Sequence, residues 1–214
     1  MSQSRKRHWE EVYRTNAAHE VGWYQAHPTT SLNLIASTGV QKTGKLIDVG
    51  GGDSTLVDHL LDRGFEHLTV LDISSAALER AKARLDDRAS LVTWIESDVT
   101  DFRSSETYDV WHDRAVFHFF TEAKDRTRYI EKMDRVVGPQ GHVILATFGQ
   151  DAPPTCSGLP VMRYSPHDLA SAVGNEFELV EFLEQPHKTP GGKMQPFLYC
   201  RFRRRTGEMG TYRH

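Results

Sequence analysis

A chain of 214 residues that is 38% hydrophobic and 26% charged has the length and balance of one well-buried α/β domain, and is too short for two ordinary domains with a linker. Its net charge of −3 offers no global positive field to a polyanion such as a nucleic acid, and two cysteines, Cys156 and Cys200, form neither a disulfide framework nor a metal-ligand spacing, so reduced thiols are expected. The opening MSQSRKRHWEE is basic with no apolar stretch behind it, which predicts neither a secretory leader nor a membrane anchor and makes the cytoplasm the expected compartment.

Residues 1–40 are expected to form a helical cover carrying the aromatics Trp9, Tyr13, Trp23 and Tyr24. From residue 45, short apolar runs alternate with segments of helical period, the pattern of crossover helices covering a parallel sheet. Lys45–Val49 reads as a first strand running into glycines, and Leu56, Val57, Leu60 and Leu61 mark one face of the following helix. Leu68–Leu71 is a second strand, after which Ser74 or Ser75 caps a helix buried along Leu78, Ala81 and Leu85.

Further strands are predicted at Leu91–Glu96 and Tyr108–His112, then a helix from about Glu122 through Ile130, Met133 and Val137 that breaks at Pro139-Gln140-Gly141. His142–Phe148 is a fifth strand, and Ser165-Pro166-His167-Asp168 supplies the cap, first-turn proline and acidic third position of a helix start. Phe177–Gln185 and Pro196–Arg203 flank Pro190-Gly191-Gly192 and should pair as an antiparallel hairpin. The domain is expected to span residues 41–205, with a frayed tail over 206–214. The cluster Arg201 with Arg203–Arg205 is read as a solvated edge.

Chemistry concentrates where strands end. Asp48-Val49-Gly50-Gly51-Gly52-Asp53-Ser54 places glycines where a strand turns sharply into a helix, so the backbone can approach a ligand closely. A nicotinamide-binding loop would carry a further glycine where Thr55 stands. The carboxylate of Asp48 suits a ligand with an ammonium group and would repel a pyrophosphate. Asp72 closes the second strand, where a carboxylate can accept both ribose hydroxyls, and Asp98 closes the third, near an adenine edge. Singly each acid reads equally well as a strand-end or cap residue; together they mark three contacts along one sheet edge.

The order LIDVGGGDS (46–54), VLDIS (70–74), ESDV (96–99) and YDVWHDRAVFHF (108–119) resembles the motif series of class I S-adenosylmethionine-dependent methyltransferases across residues 8–203. The resemblance implies a Rossmann-like, doubly wound, mostly parallel seven-stranded sheet with an antiparallel last strand. It further implies that Gly50, Gly52 and Asp53 belong to the methionine end, Asp72, Ile73 and Ser74 to the ribose and adenine face, and Asp98 with Val99 to the adenine edge. Ser54 departs from the family, many of whose members carry a third glycine there; a serine can still cap the helix.

Methyl transfer from a sulfonium needs alignment in a dry site more than a dedicated acid or base. Trp9, Tyr13, Trp23 and Tyr24 are candidates to face the sulfonium, with a packing role as the alternative for Trp9 and Tyr13. The turn His112-Asp113-Arg114 is the richest polar cluster: Asp113 is a candidate for the cofactor amine and Arg114 for an anionic acceptor, against the alternative of a buried ion pair. His118 is a candidate general base, against the reading of a packed core histidine, and Tyr24 or Tyr164 could take a proton from a lysine acceptor. The segments 156–160 and 187–195 are expected on the acceptor side.

The turn Asp113-Arg114-Ala115 and the aromatic cover are similar to thiopurine and thiol methyltransferases, which implies a small-molecule thiol acceptor. Protein-lysine methylation is the alternative, with a protein as substrate. A nicotinamide-dependent oxidoreductase and a non-catalytic cofactor-binding regulator are the readings from other classes.

Overall fold

The computed structural model describes residues 2–206, so the tail expected over 206–214 lies, beyond its first residue, outside the described residues. Among the described residues, the seven longer strands are β1 (Lys45–Val49), β2 (His67–Asp72), β3 (Val92–Glu96), β4 (Tyr108–Arg114), β5 (Val137–Gly149), β6 (Phe177–Lys188) and β7 (Met194–Arg204), beside the two-residue strands Thr155–Cys156, Leu159–Pro160 and Arg163–Tyr164, the last of which pairs with β5. The seven lie side by side in the order β3-β2-β1-β4-β5-β7-β6. The first five pair in parallel, while β7 runs antiparallel to both β5 and β6. The chain order reverses between β1 and β4, the point where an open parallel sheet leaves a crevice at its carboxyl edge.

Helices α1 (Ser2–Thr15), α2 (Thr29–Ser37), α3 (Leu56–Asp62), α4 (Ser75–Leu85), α5 (Ala123–Val136) and α6 (Pro166–Val173) complete the fold. One face of the sheet buries Val110, Ile144 and Phe148 against Leu32 and Ile35 of α2, Leu56 and Leu60 of α3 and Leu78 of α4. The other buries Ile47, Trp111 and Leu145 against Tyr129 and Met133 of α5 and Leu169 of α6. Each fully buried aliphatic or aromatic side chain contributes about 1.5–3 kcal/mol, so the two cores hold the sheet edge in place rather than the polar contacts above it.

The expected caps are present. Ser74 Oγ accepts from Ala77 N at 3.2 Å to start α4. Ser165 Oγ accepts from Asp168 N at 3.1 Å while the Asp168 carboxylate accepts from Ser165 N at 3.3 Å, closing a capping box on α6. The hairpin of β6 and β7 forms as read. α5 ends at Val136, ahead of Pro139-Gln140-Gly141, and Val137, expected as its last buried position, instead opens β5, which runs across that triplet. The extension is irregular: its register to β4 shifts after Tyr108, and Gln140 adopts a φ of 61°.

The basic cluster is less solvated than its sequence suggests. Arg201 is buried on Glu181, and Arg204 bonds Asp134 while lying 4.6 Å from the Phe177 ring centre; Arg203 is exposed and pairs with Glu178. Among the described residues, no helix is long and apolar enough to cross a membrane.

Candidate active site

The glycine bend between β1 and α3 sets the site. Gly50 has a φ of 66° and Gly52 of 29°, both in the left-handed region that favours glycine. A Cβ on Gly50 would sit 2.0 Å from Val116 Cγ2, and one on Gly52 would sit 2.6 Å from Asp72 Oδ2. The loop therefore passes against the ends of β2 and β4 with no room for a side chain.

Two hollows meet at this bend. The first, about 740 Å³, is lined by Gly50, Asp72, Ile73, Asp98 and Val99 at the strand ends, and by Arg5, Trp9, Tyr13, Trp23, Arg114, Phe119 and Cys156 around its mouth. The second, about 560 Å³, lies on the other side of Tyr13 and Trp23, over Asp48, Gly51, Asp53, Thr55, His112, Ser31 and Tyr24. Gly50, Tyr13, Trp23 and Arg114 line both.

The three strand-end acids face these hollows with different electrostatics. Burial pushes the Asp72 carboxyl up to about 7, with the Asp48 charge adding to it and hydrogen bonds from the backbone N–H groups of Ser74 and Ile73 opposing it. Among the described residues Asp72 pairs with no cation, so donors brought by a ligand would meet a carboxylate in need of them. Asp48 Oδ1 accepts from His112 Nδ1 at 2.7 Å, but its Oδ2 is buried without a partner.

Asp98 is already filled. Its Oδ1 accepts from Thr100 N and Oγ1 at 2.9 and 2.8 Å, and its Oδ2 from Arg5 Nε and Nη2 at 3.1 and 2.9 Å. Burial works against its ionisation, but the Thr100 and Arg5 bonds outweigh it and hold the carboxyl below its ordinary range. An adenine amino group would reach Asp98 only by displacing Arg5, whose Nη1 also bonds Asp125 at 2.7 Å. Asp98 lines the first hollow with Val99, and Arg5 is its standing partner there. Arg5, in a basic stretch that reads as solvated, carries no periodicity that would announce it.

The aromatic cover assembles as a box. Trp9 meets Trp23 at 5.7 Å and Phe119 at 5.0 Å between ring centres, and Tyr13 meets Trp23 at 6.0 Å, mostly edge to face. Glu10 fixes α1 over the site by accepting from Ser75 N at 2.6 Å and Ser75 Oγ at 2.9 Å. Asp53 lines the second hollow while held by Arg84 at 2.7 Å and Arg80 at 3.4 Å. Of the two segments expected on the acceptor side, Cys156 lines the first hollow, whereas no residue of 187–195 lines either hollow and His187 Nε2 lies 2.9 Å from the carbonyl oxygen of Gly22.

Three candidates are drawn away from the hollows. Asp113 is fully buried on the α5 face of the sheet and accepts from Tyr129 Oη at 2.5 Å and from Val116 N and Phe117 N at 3.0 Å each. Strand alternation explains the correction: His112 and Arg114 point to the face opposite Trp111 and Asp113, so Asp113 organises the turn rather than a cofactor amine. Ser74 is fully buried as the α4 cap and lines neither hollow.

His118 is likewise a core residue. Its Nδ1 accepts from Phe148 N at 3.2 Å, the Phe119 and Phe148 rings lie 4.5 and 4.8 Å away, and burial with the nearby Arg114 charge pushes it down to about 3. An imidazole that stays neutral and sealed is no general base. Replacing His118 with phenylalanine is expected to leave methyl-transfer kinetics and their pH profile unchanged, at a stability cost of about 1–2 kcal/mol for the lost acceptor. A matched pair of pH–rate profiles and thermal melts checks this.

Arg114 behaves differently from the ion pair considered for it. Its Nε donates to Tyr199 Oη at 2.9 Å and its Nη1 to the Trp23 carbonyl at 2.8 Å, and its guanidinium lies 4.4 Å from the Phe197 ring centre. Nη2 is buried with no partner. Both partners are neutral, so the cation faces the hollows without a counter-charge of its own.

Comparison with known proteins agrees with this architecture. Residues 47–143 match a family described as a methyltransferase domain. A malonyl-[acyl-carrier protein] O-methyltransferase of Anoxybacillus flavithermus is 30% identical over 105 residues, 49% of this chain and 39% of that protein. Nodulation protein S of Rhizobium tropici is 26% identical over 53% of this chain and 47% of its own length. An eEF1A lysine and N-terminal methyltransferase of Danio rerio is 24% identical over 67% of this chain and 21% of its own length. The chain thus spans less than half the length of these curated relatives.

Solved structures extend the likeness of fold to almost the whole chain. The N-methyltransferase NodS of Bradyrhizobium japonicum, in complex with S-adenosyl-L-homocysteine, superposes with a TM-score of 0.69 at 18% identity, over 92% of this chain and 98% of that one. A SAM-dependent methyltransferase of Anabaena variabilis reaches 0.73 at 16% identity over 95% of each. The chain has the Rossmann-like α/β fold of these structures, and residues 47–143 within it are similar to a methyltransferase domain.

Proposed function

We propose that this protein transfers a methyl group from S-adenosylmethionine to a small-molecule thiol. The observation that carries the cofactor assignment is the pairing of Asp72, which accepts from the backbone N–H groups of Ser74 and Ile73 and from no cation among the described residues, with the unpartnered Asp48 Oδ2 on either side of the Gly50 bend. A vicinal diol at Asp72 and an ammonium at Asp48 supply the missing donors, and an uncompensated Asp48 carboxylate beneath the bend disfavours the pyrophosphate of a nicotinamide cofactor. When bound, S-adenosylmethionine supplies an electrophilic methyl on a sulfonium centre.

Trp9, Tyr13, Trp23 and Phe119 exclude water from the mouth of the first hollow, and each ring facing a cation contributes about 0.5–2 kcal/mol. Among the described residues lining the first hollow, Asp72 and Asp98 are assigned to the cofactor, burial raises the Tyr13 phenol and the Cys156 thiol, and His118 is sealed in the core, which leaves no group poised to take a proton from the acceptor. The acceptor must therefore arrive as a nucleophile. A thiol with a pKa of about 8.5 brings its own thiolate fraction, which the buried Nη2 of Arg114 stabilises.

Protein-lysine methylation fits less well. Tyr164, a candidate to take the lysine proton, is buried outside both hollows with its phenol pushed up to about 12, and Tyr24 lies in the second hollow. Incubating the protein with labelled S-adenosylmethionine, a panel of small thiols and a proteome extract tests the reading. Label in low-molecular-weight thioethers is expected; label confined to protein would transfer the assignment to lysine, and absence of S-adenosylhomocysteine binding would end it.

A further inference from the structure

The buried trio Asp48, His112 and Ser31 has a geometry that neither the cofactor assignment nor the acceptor chemistry uses. Asp48 and His112 are partners in the parallel register of β1 and β4, which brings their side chains to the same face of the sheet. Asp48 Oδ1 stands 2.7 Å from His112 Nδ1, and His112 Nε2 stands 2.9 Å from Ser31 Oγ on α2. All three line the second hollow, yet are 4%, 2% and 1% exposed. We propose that His112 and Ser31 are positioning residues that hold Asp48 as a full negative charge, with its free Oδ2 aimed at the ammonium of the cofactor's amino-acid end.

The argument is one of proton placement. A carboxylate 2.7 Å from Nδ1 takes that nitrogen as donor, and in a neutral imidazole Nε2 is then the acceptor, which the Ser31 hydroxyl satisfies by donating. The trio then carries one negative charge, matching one ammonium. Were the imidazole doubly protonated, the same atoms would sum to zero and the attraction would vanish.

Direction is fixed along with charge. A Cβ on Gly51 would stand 2.6 Å from Asp48 Oδ2, so the bare glycine is what lets that oxygen lie under the bend, and the His112 bond to Oδ1 holds the carboxylate in that orientation. The arrangement resembles a nucleophile relay in outline only: the Ser31 hydroxyl lies within α2, turned onto the imidazole, and it orders a charge rather than attacking a substrate.

This inference rests on the cofactor assignment above, and the test separates the two. Binding of S-adenosylhomocysteine and of 5′-methylthioadenosine, which keeps adenosine and sulfur but lacks the amino-acid group, is measured by calorimetry for wild type, His112→Phe, His112→Asn and Ser31→Ala. His112→Phe should bind S-adenosylhomocysteine about tenfold more weakly, Ser31→Ala about threefold, and both should bind methylthioadenosine as wild type does. His112→Asn, whose amide still donates toward Asp48, should recover most of the loss.

Equal losses for both ligands, or unchanged S-adenosylhomocysteine affinity in Ser31→Ala, would overturn the positioning role while leaving the cofactor assignment intact. Wild-type protein that binds neither ligand would overturn both. Should His112→Phe fail to fold, the two-ligand comparison in Ser31→Ala decides alone.

Discussion

Replacing Asp72 with asparagine is expected to weaken S-adenosylhomocysteine binding by about 10- to 100-fold, the loss of two charge-assisted hydrogen bonds at about 1.5–3 kcal/mol in total. The same change should abolish a proton release that accompanies binding. In the free protein burial raises the Asp72 carboxyl to about 7, so near neutrality it is partly protonated. Two hydroxyl donors favour the ionised form, so the complex has a lower pKa and sheds a proton at neutral pH. Affinity therefore falls as pH drops below about 7, by at most tenfold per unit, and levels off above it. Calorimetry in two buffers of different ionisation enthalpy reads the proton directly; release that persists in the asparagine variant would assign it elsewhere.

Stability of the free protein carries the opposite sign. A carboxyl whose folded pKa is raised binds more protons folded than unfolded, so the stability it holds at low pH is lost as pH rises from about 4 through about 7. Burial raises Asp113 to about 7 as well, despite its bond from Tyr129. Both groups thus favour the ligand-free fold at mildly acidic pH, where the cofactor binds less well.

Gly50→Ala should be the most damaging single methyl in the molecule. The residue lies at a φ of 66°, which costs a non-glycine residue about 1–2 kcal/mol, and the new Cβ would stand 2.0 Å from Val116 Cγ2. Relief requires the bend or the β4 turn to move, and both hollows share Gly50 as wall. The expected outcome is a loss of S-adenosylhomocysteine affinity of about 100-fold or more together with about 1–3 kcal/mol of stability. Gly39→Ala is the control: its φ is 74° but open space surrounds it, so it should lower the melting temperature and leave binding alone. Equal binding losses in the two variants would show that the bend acts through global stability only.

The strands and the glycine bend were legible because their signals are local. Alternating apolar runs report burial between helix layers, and Ser165 with Asp168 reports a cap within four residues. The side of the sheet a residue faces was legible only as parity. Asp113 and Arg114 are adjacent in one cluster, and strand alternation puts one under α5 and the other in the hollows. Long-range partners leave no trace of that kind. Arg5 is 93 residues from Asp98, and Ser31 is 81 from His112, so neither their bonds nor the saturation of Asp98 follows from periodicity. His118 was readable either way, and its enclosure by Phe119, Phe148 and Phe197 decides for packing.

The Arg5 bridge gives the N-terminal helix a second identity. By joining Asp98 to Asp125 it ties three distant parts of the chain with a single guanidinium, and the helix it belongs to also roofs the larger hollow. The tether thereby fixes one wall of that hollow to two elements that are remote in sequence. Because both carboxylates are nearly buried, dissolved salt screens this tether only weakly, and the roof keeps its footing across a wide range of ionic strength.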